Sequence, residues 1–499
     1  MMVMPFALAV VLLMDACDQI PQPTPQLRAT VRNGSVRLVD AVEGECLRLL
    51  LPGEVSGLRL TPGGPDWEAD LALRDERLQI TARHEAGRVS LSVLWHEGGT
   101  RSLGWKAIVS WGADPYPCRL EPTGEDDGVL QLQLNGACPE VCTALYDRLR
   151  DRALRLDGGK LGALAEQGHY GLAGRASPVE GSSVALLSAT VVADFMKERR
   201  GIVHFAPIDK TVFSRPQAGW CSWYYFYRNV REEDVVANVR WLGENLRQYG
   251  VTWIQVDDGW QAKGSAESEF WRDWRDFDPK FQHGMRWLAD QIKSFGFRAG
   301  LWLTPYATNA EELVKEHPDW FVRDKPDHYF DSGWIGRYLI DPTHPGARDM
   351  YLRGLFKTMT EDWGYDYFKI DGQPPTCNYY RLLQERLHEP MDGAEAYRLG
   401  LKVIRETLGP ERFLLGCWGT PVEGIGFMNG SRTGGDVAAT WRGMMPALDA
   451  TKRWYFLHNV VWYCDPDCLM VRPPLSLDQA QAWVTLFGIT GQHLMLSDN

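Results

Sequence analysis

An antiparallel β-sandwich followed by a (β/α)8 TIM barrel is the architecture that this sequence of 499 residues predicts. Three observations carry that expectation. Residues 26–210 alternate apolar and polar side chains with a period of two, in short runs cut by Gly, Pro and Asp. Residues 211–499 change to strand, loop and helix, repeated at the spacing of a parallel barrel. Polar and aromatic residues gather after nearly every strand of that second stretch, where barrel sites lie. A doubly wound sheet would concentrate them at one switch point. The length alone also asks for more than one core.

In the first region the strand-like runs are SVRLVDA, CLRLLLP, GLRLTP, RLQITARHE, RVSLSVLWHE and VLQLQLNG. The segment Pro139 to Leu156 places apolar residues three and four apart and predicts a helix. SVALLSATVVADF, Ser183 to Phe195, predicts a further strand. No catalytic constellation stands out here, so the region is expected to scaffold, dimerise or wall off one side of a site. Ahead of it, MMVMPFALAVVLLMDAC holds an apolar run long enough for a signal-peptide core and too short to span a bilayer. No Lys or Arg precedes the run. Met14-Asp15-Ala16-Cys17 is similar to a lipoprotein cleavage site, which predicts export and membrane attachment by lipid at Cys17. The other reading is a buried first strand in a cytoplasmic protein. QIPQPTPQ then reads as a linker, setting residues 1–25 apart.

In the second region GWCSWYYFY, Gly219 to Tyr227, is the first barrel strand with its loop, and Glu232 to Tyr249 is a helix. VTWIQVDDGWQ, Val251 to Gln261, is the second strand and ends in paired carboxylates. Phe281 to Phe295 is helical, and FRAGLWLTPYA, Phe297 to Ala307, is the third strand. A helix from Arg348 to Trp363 leads to the strand of YDYFKIDGQ. After it come helix Ala394 to Leu408, strand RFLLGCWG, a long loop to SRTGGD, and helix Trp441 to Lys452. HNVVWYCDPD, helix Leu477 to Phe487 and HLMLSDN complete eight strands, the number that closes a barrel.

Composition removes several functions. The formal charge of −12, with no long basic run, argues against a nucleic-acid partner. Ten cysteines do not make a disulfide scaffold, although Cys138 with Cys142, and Cys464 with Cys468, are each close enough for a short bridge. The 11 histidines show no zinc spacing, and no glycine-rich phosphate loop follows the first strand. No metal and no cofactor is expected. The 21 tryptophans suit the apolar faces of sugars as well as a large core.

The chemistry is read from two stretches. In YDYFKIDGQ, Lys369 and Asp371 stand two apart at a strand end and should emerge on one side, where a lysine favours the ionised form of the acid. In SRTGGDV, Asp436 follows Arg432 by four residues. Two separated acids are what displacement at a sugar acetal carbon requires: one attacks, the other protonates the leaving oxygen. Each could instead cap the helix that follows it. Because Arg432 would oppose a proton on Asp436, it is expected to grip a sugar hydroxyl and only border the acid. Of Asp257 and Asp258, alternation favours Asp257 as the one facing the pocket. Asp465 and Asp467 would bind sugar or brace loops.

At these residues the sequence resembles the clan of retaining alpha-galactosidases and alpha-N-acetylgalactosaminidases. GWCSWYYFY, VDDGWQ and KIDGQ are similar to the bacterial-type family that includes the raffinose synthases. RTGGDVAATW, CDPDCLMVR and LMLSDN are similar to the eukaryotic-type family. The resemblance implies a beta-supersandwich ahead of the barrel, Asp371 as nucleophile and Asp436 as acid/base. It further implies substrate binding by Asp257, Asp258, Lys369, Arg432, Arg337 in GRYLIDPTHP, Trp302 and Trp223. Cys417 stands where the family's fifth-strand loop opens, but Trp418 and Gly419 replace the Gly-rich segment that follows, which leaves galactose and N-acetylgalactosamine both open. No segment after Asn499 corresponds to the family's C-terminal antiparallel domain. The implied activity is exo-acting hydrolysis of a terminal alpha-galactoside on an oligosaccharide or glycoconjugate. The alternatives are raffinose-synthase-like transfer and alpha-N-acetylgalactosaminidase action.

Overall fold

The computed structural model describes residues 201–499 apart from 266–268 and 419–420, and between residues 27 and 200 chiefly the strand segments. The expectations at Cys17, at Cys138 and for the linker at 18–25 lie outside the described residues. The chain divides into two compact units, Met1–Phe205 and Ala206–Asn499.

The first unit holds two large antiparallel sheets. One has seven strands, beginning with Leu27–Arg32, Ser35–Asp40 and Gly44–Leu50; the other has eight and includes Arg88–His96, Arg152–Leu156 and Val184–Val192. The helix expected over Pro139 to Leu156 is not formed. Ala144–Asp147 and Arg152–Leu156 pair as a hairpin instead, and Ala153 to Leu156 pair in turn with Val192 to Ala189. The Asp147 carboxylate accepts from the backbone N–H groups of Leu149 (2.9 Å) and Arg150 (3.2 Å), which fixes a turn inside the apolar pattern. A side chain that satisfies its own turn competes with helix, and pairing to a neighbouring strand completes the override.

The second unit is a barrel of eight parallel strands: β1 Ala218–Cys221, β2 Trp253–Val256, β3 Arg298–Leu303, β4 Tyr367–Ile370, β5 Phe413–Gly416, β6 Gly430–Arg432, β7 Tyr463–Asp465 and β8 Leu494–Leu496. They follow one another in order, and β8 returns to pair with β1. Closure between β7 and β8 rests on the bond from His493 N–H to the Cys464 carbonyl (3.0 Å). Beyond β7, Leu469 takes up the pairing, donating to Met495 and accepting from Ser497. The outer helices are α1 Glu232–Asn245, α2 Gly284–Ser294, α3 Arg353–Lys357 within a helical stretch from Gly346 to Asp362, α4 Gln373–Leu383, α5 Gly393–Leu408, α6 Met445–Trp454 and α7 Leu477–Thr490. The start of α5 shows why the sequence folds here as it does. Asp392 caps it by accepting from Ala394 and Glu395, and Ala396, Tyr397, Leu401, Ile404 and Leu408 recur on the buried face.

Below the site the barrel is plugged by rings. Trp253, Tyr367, Phe413 and Tyr463 are buried together with Phe213, and Tyr367 stacks on Phe413 at 5.6 Å. Truncating a large ring in such a plug costs on the order of 3–5 kcal/mol. Gly300 makes the room: a Cβ there would lie 2.4 Å from the Tyr367 ring. The floor is therefore rigid, and chemistry is confined to the carboxyl ends above it. Among the described residues, no helix is long and apolar enough to cross a membrane.

Candidate active site

Above the plug a pocket of about 300 Å³ is lined by side chains from the ends of six strands and their loops, including Trp223, Asp257, Asp258, Trp302, Lys369, Asp371, Trp418, Arg432 and Asp436. That volume lies at the small end of ligand sites and suits one sugar ring better than a chain. Among the described residues no group of three His, Cys, Asp or Glu side chains could hold a metal ion.

Asp371 is the first residue beyond β4. Its backbone N–H donates to the Leu303 carbonyl (2.8 Å), so the strand pairing carries on into the site. The indole N–H of Trp302 donates to its Oδ2 (2.8 Å), and the Gly372 N–H donates to its Oδ1 (2.6 Å). Gly372 has φ +70°, which bends the chain at once into α4 and favours a residue without Cβ. Lys369 does not pair with Asp371. It points from β4 into the barrel and meets Asp257 at 3.2 Å. Asp371 has left the strand, and strand alternation no longer sets its direction. Burial acts against the lysine charge, but Asp257, with smaller contributions from Cys417 and Cys221, outweighs it and raises Lys369 well above the usual lysine range.

Asp257 and Asp258 both line the pocket, because β2 ends at Val256 and both lie in the turn beyond it. Alternation could not choose between them there. Asp257 accepts from Lys369, from the Gln255 amide, from the Asp258 N–H (2.9 Å) and from the Cys221 thiol (3.5 Å). Burial pushes its proton affinity up and Lys369 opposes that. Four donors around one carboxylate favour the ionised pair. Asp258 is clamped by Arg272, whose two terminal nitrogens reach its two oxygens at 3.1 and 3.2 Å, while Arg228 approaches at 3.4 Å.

Asp436 stands on the loop after β6. Its side chain is 61% exposed and accepts from the Arg432 guanidinium. The expectation that Arg432 only borders the acid is thus corrected. Arg432 is at the end of β6, the loop beyond it brings Asp436 back, and the two side chains meet directly. Arg432 is itself buried, reaches Asp467 at 3.3 Å and donates to the Cys417 sulfur at 3.5 Å. Burial, with Asp371 nearby, keeps Cys417 a neutral thiol. Cys417 thus backs the wall, while Trp418, in a left-handed backbone conformation (φ +64°), lines the rim edge-on to Trp334 at 5.7 Å. Arg337 is exposed, lies over the Tyr338 ring and is not part of the lining. Cys464 and Cys468 are both free and buried, so the short bridge expected there is not formed. Their thiols belong to the packed barrel wall.

Sequence reasoning missed Arg228, Phe270, Arg272 and Trp334, all of which line the pocket. The alternation of rings and charges in FWRDWRDF, just after VDDGWQ, was the available signal.

With this geometry in place the comparisons are informative. Residues 220–414 match the melibiase family model. The alpha-galactosidase of rice (Oryza sativa subsp. japonica) is 26% identical over 265 residues, 51% of this chain and 51% of that protein. A probable alpha-galactosidase of Dictyostelium discoideum is 23% identical over 268 residues, 53% of this chain and 57% of that protein. The chain thus spans about half the length of these curated relatives. A solved alpha-galactosidase from Thermus thermophilus superposes with a TM-score of 0.49 at 22% identity, covering 90% of this chain and 88% of that one. The matched residues contain VDDGWQ and KIDGQ, two of the stretches on which the resemblance to this clan was read.

Proposed function

From the melibiase match and the two carboxylates that line one pocket from the ends of β4 and β6, we propose that this barrel is a retaining, exo-acting glycoside hydrolase for terminal alpha-galactosides. The observation that carries the reading is the joint lining of the small pocket by Asp371 and Asp436. Asp371 attacks the anomeric carbon, and Asp436 gives its proton to the departing oxygen. Asp436 then takes a proton from the water that opens the glycosyl-enzyme. Asp257, Asp258, Lys369 and Arg432 supply fixed charges for the hydroxyls of one sugar ring, and Trp302 and Trp223 supply its apolar walls. Neither step moves electrons or phosphate, so the chain's own side chains suffice. The sheets of residues 26–210 are assigned to a beta-supersandwich, and residues 211–499 to the catalytic barrel. The substrate is an oligosaccharide or glycoconjugate.

One observation supports a second reading. Trp418 and Trp334 meet at the rim and present ring surface beside the pocket, where an acceptor sugar could stack. That arrangement favours transglycosylation of the raffinose-synthase kind. Rates on 4-nitrophenyl alpha- and beta-galactosides and glucosides test the first reading. A clear preference for any beta-linked or gluco-configured substrate refutes the sugar assignment. The product ratio with added sucrose decides between water and sugar as acceptor.

A further inference from the structure

A buried carboxylate outside the pocket lining holds the acid's loop at both of its ends. Asp467 follows β7 and is 2% exposed. Its Oδ2 accepts from the Tyr224 hydroxyl, from the Val437 backbone N–H (3.0 Å) and from Arg432 (3.3 Å). Val437 is the residue directly after Asp436, and Arg432 is the side chain to which Asp436 is bonded. Tyr224 closes the figure, because its hydroxyl also accepts from Val437 N–H at 3.1 Å. Asp467 is fixed in turn: its N–H donates to Asp465 Oδ1 (2.8 Å), and its backbone is left-handed, with φ +81°. A side chain other than Gly, Asn or Asp is strained at such a φ. Burial alone would raise the Asp467 carboxyl, but Arg432, Lys369 and the Tyr224 hydroxyl hold it below the ordinary carboxylate range.

We infer that Asp467, with Tyr224, is the positioning residue of the acid/base. It fixes the backbone beside Asp436 and takes a share of the Arg432 guanidinium that would otherwise bear on Asp436 alone. Asp467 touches no substrate. The exposed Asp436 carboxylate swings over a backbone that cannot shift, and the cation beside it is divided between two acids. A misplacement of about 1 Å at a reacting group can cost on the order of a hundredfold. The bracket therefore acts on the proton-transfer step. It rests on the reading of Asp436 as the acid.

The test compares Asp467→Asn and Tyr224→Phe on two substrates, 4-nitrophenyl alpha-galactoside, whose leaving group departs unaided, and methyl alpha-galactoside, whose leaving group needs the proton. Asp467→Asn should lower kcat/KM at least tenfold more on the methyl glycoside. Tyr224→Phe should show the same split to a smaller degree. A role in folding alone would lower both substrates together or lower only the Tm, and equal losses in both variants overturn the proposal. If Asp467→Asn does not fold, Tyr224→Phe carries the test by itself. Asp436→Ala is the control. If it shows the split and the bracket variants do not, only this inference fails. If Asp436→Ala shows none, the acid assignment falls and the inference falls with it.

Discussion

The two aspartates proposed to carry the chemistry, Asp371 and Asp436, are held by opposite means. Asp371 extends a barrel strand and is gripped by neutral donors, the Trp302 indole and the Gly372 N–H, one on each oxygen. Asp436 stands four residues beyond its strand, is largely exposed, and leans on a cation that a buried acid also claims. The difference fits the two tasks proposed for them. A nucleophile must be aimed at one carbon and keep one protonation state, and short neutral bonds on a rigid strand achieve both. An acid/base must change protonation state twice in each turnover, which suits a mobile, solvated side chain on an anchored loop. Asp436 and Asp467 thus share one guanidinium, that of Arg432.

The largest test of that contrast removes each acid. Asp371→Gly should abolish turnover of every substrate, and azide should restore it with an inverted glycosyl azide. Asp436→Ala should lose on the order of 10²–10⁴-fold in kcat/KM on poor leaving groups, while good ones still form the glycosyl-enzyme, which accumulates until azide opens it to the retained product. A retained azide product from Asp371→Gly would exchange the two roles. Next in size is Trp302→Phe, which keeps the ring and deletes the donor. Losing a hydrogen bond to a charged group should cost roughly 1.5–3 kcal/mol, about ten- to a hundredfold in kcat on all leaving groups alike. A loss confined to methyl glycosides would place Trp302 on the acid's side instead. The geometry can be checked directly: in a crystal structure with sugar bound, the two carboxyl groups should stand roughly 5–5.5 Å apart, and roughly 6.5–9.5 Å would mean inversion.

The smallest effect concerns stability. Burial, with repulsion from Asp467, raises the Asp465 carboxyl from 3.8 to about 6, a shift equivalent to roughly 3 kcal/mol. The fold favours its protonated form. The stability it contributes is full below its ordinary value and is lost as pH rises through about 6. Asp465→Asn, which keeps an acceptor for the Asp467 N–H, should flatten the dependence of Tm on pH between about 4 and 6. An unchanged slope would show that the charge on the acid's side is better compensated than the packing implies.

Much of this was legible in the sequence, for a physical reason. The barrel strands are short runs of buried residues with polar groups at one end, so period and punctuation locate them, and KIDGQ marks its acid by position alone. What could not be read lies where contacts are set by folding. Arg272 comes from a loop between β2 and α2 yet clamps Asp258, and Tyr224 meets Asp467 across 243 residues. Asp257 and Asp258 were ranked by strand alternation, which has no force in the turn where they lie. The false helix before Leu156 had the right spacing, but it lacked the means to stop Asp147 from making a turn.

The seam of the barrel adds a consequence. β7 and β8 share one backbone bond at their base, and the wall is completed higher up by Leu469, two residues past Asp467. The segment that seals the cylinder is thus also the segment that carries the anchor of the acid. Sealing the ring and placing the loop of Asp436 therefore draw on one stretch of chain.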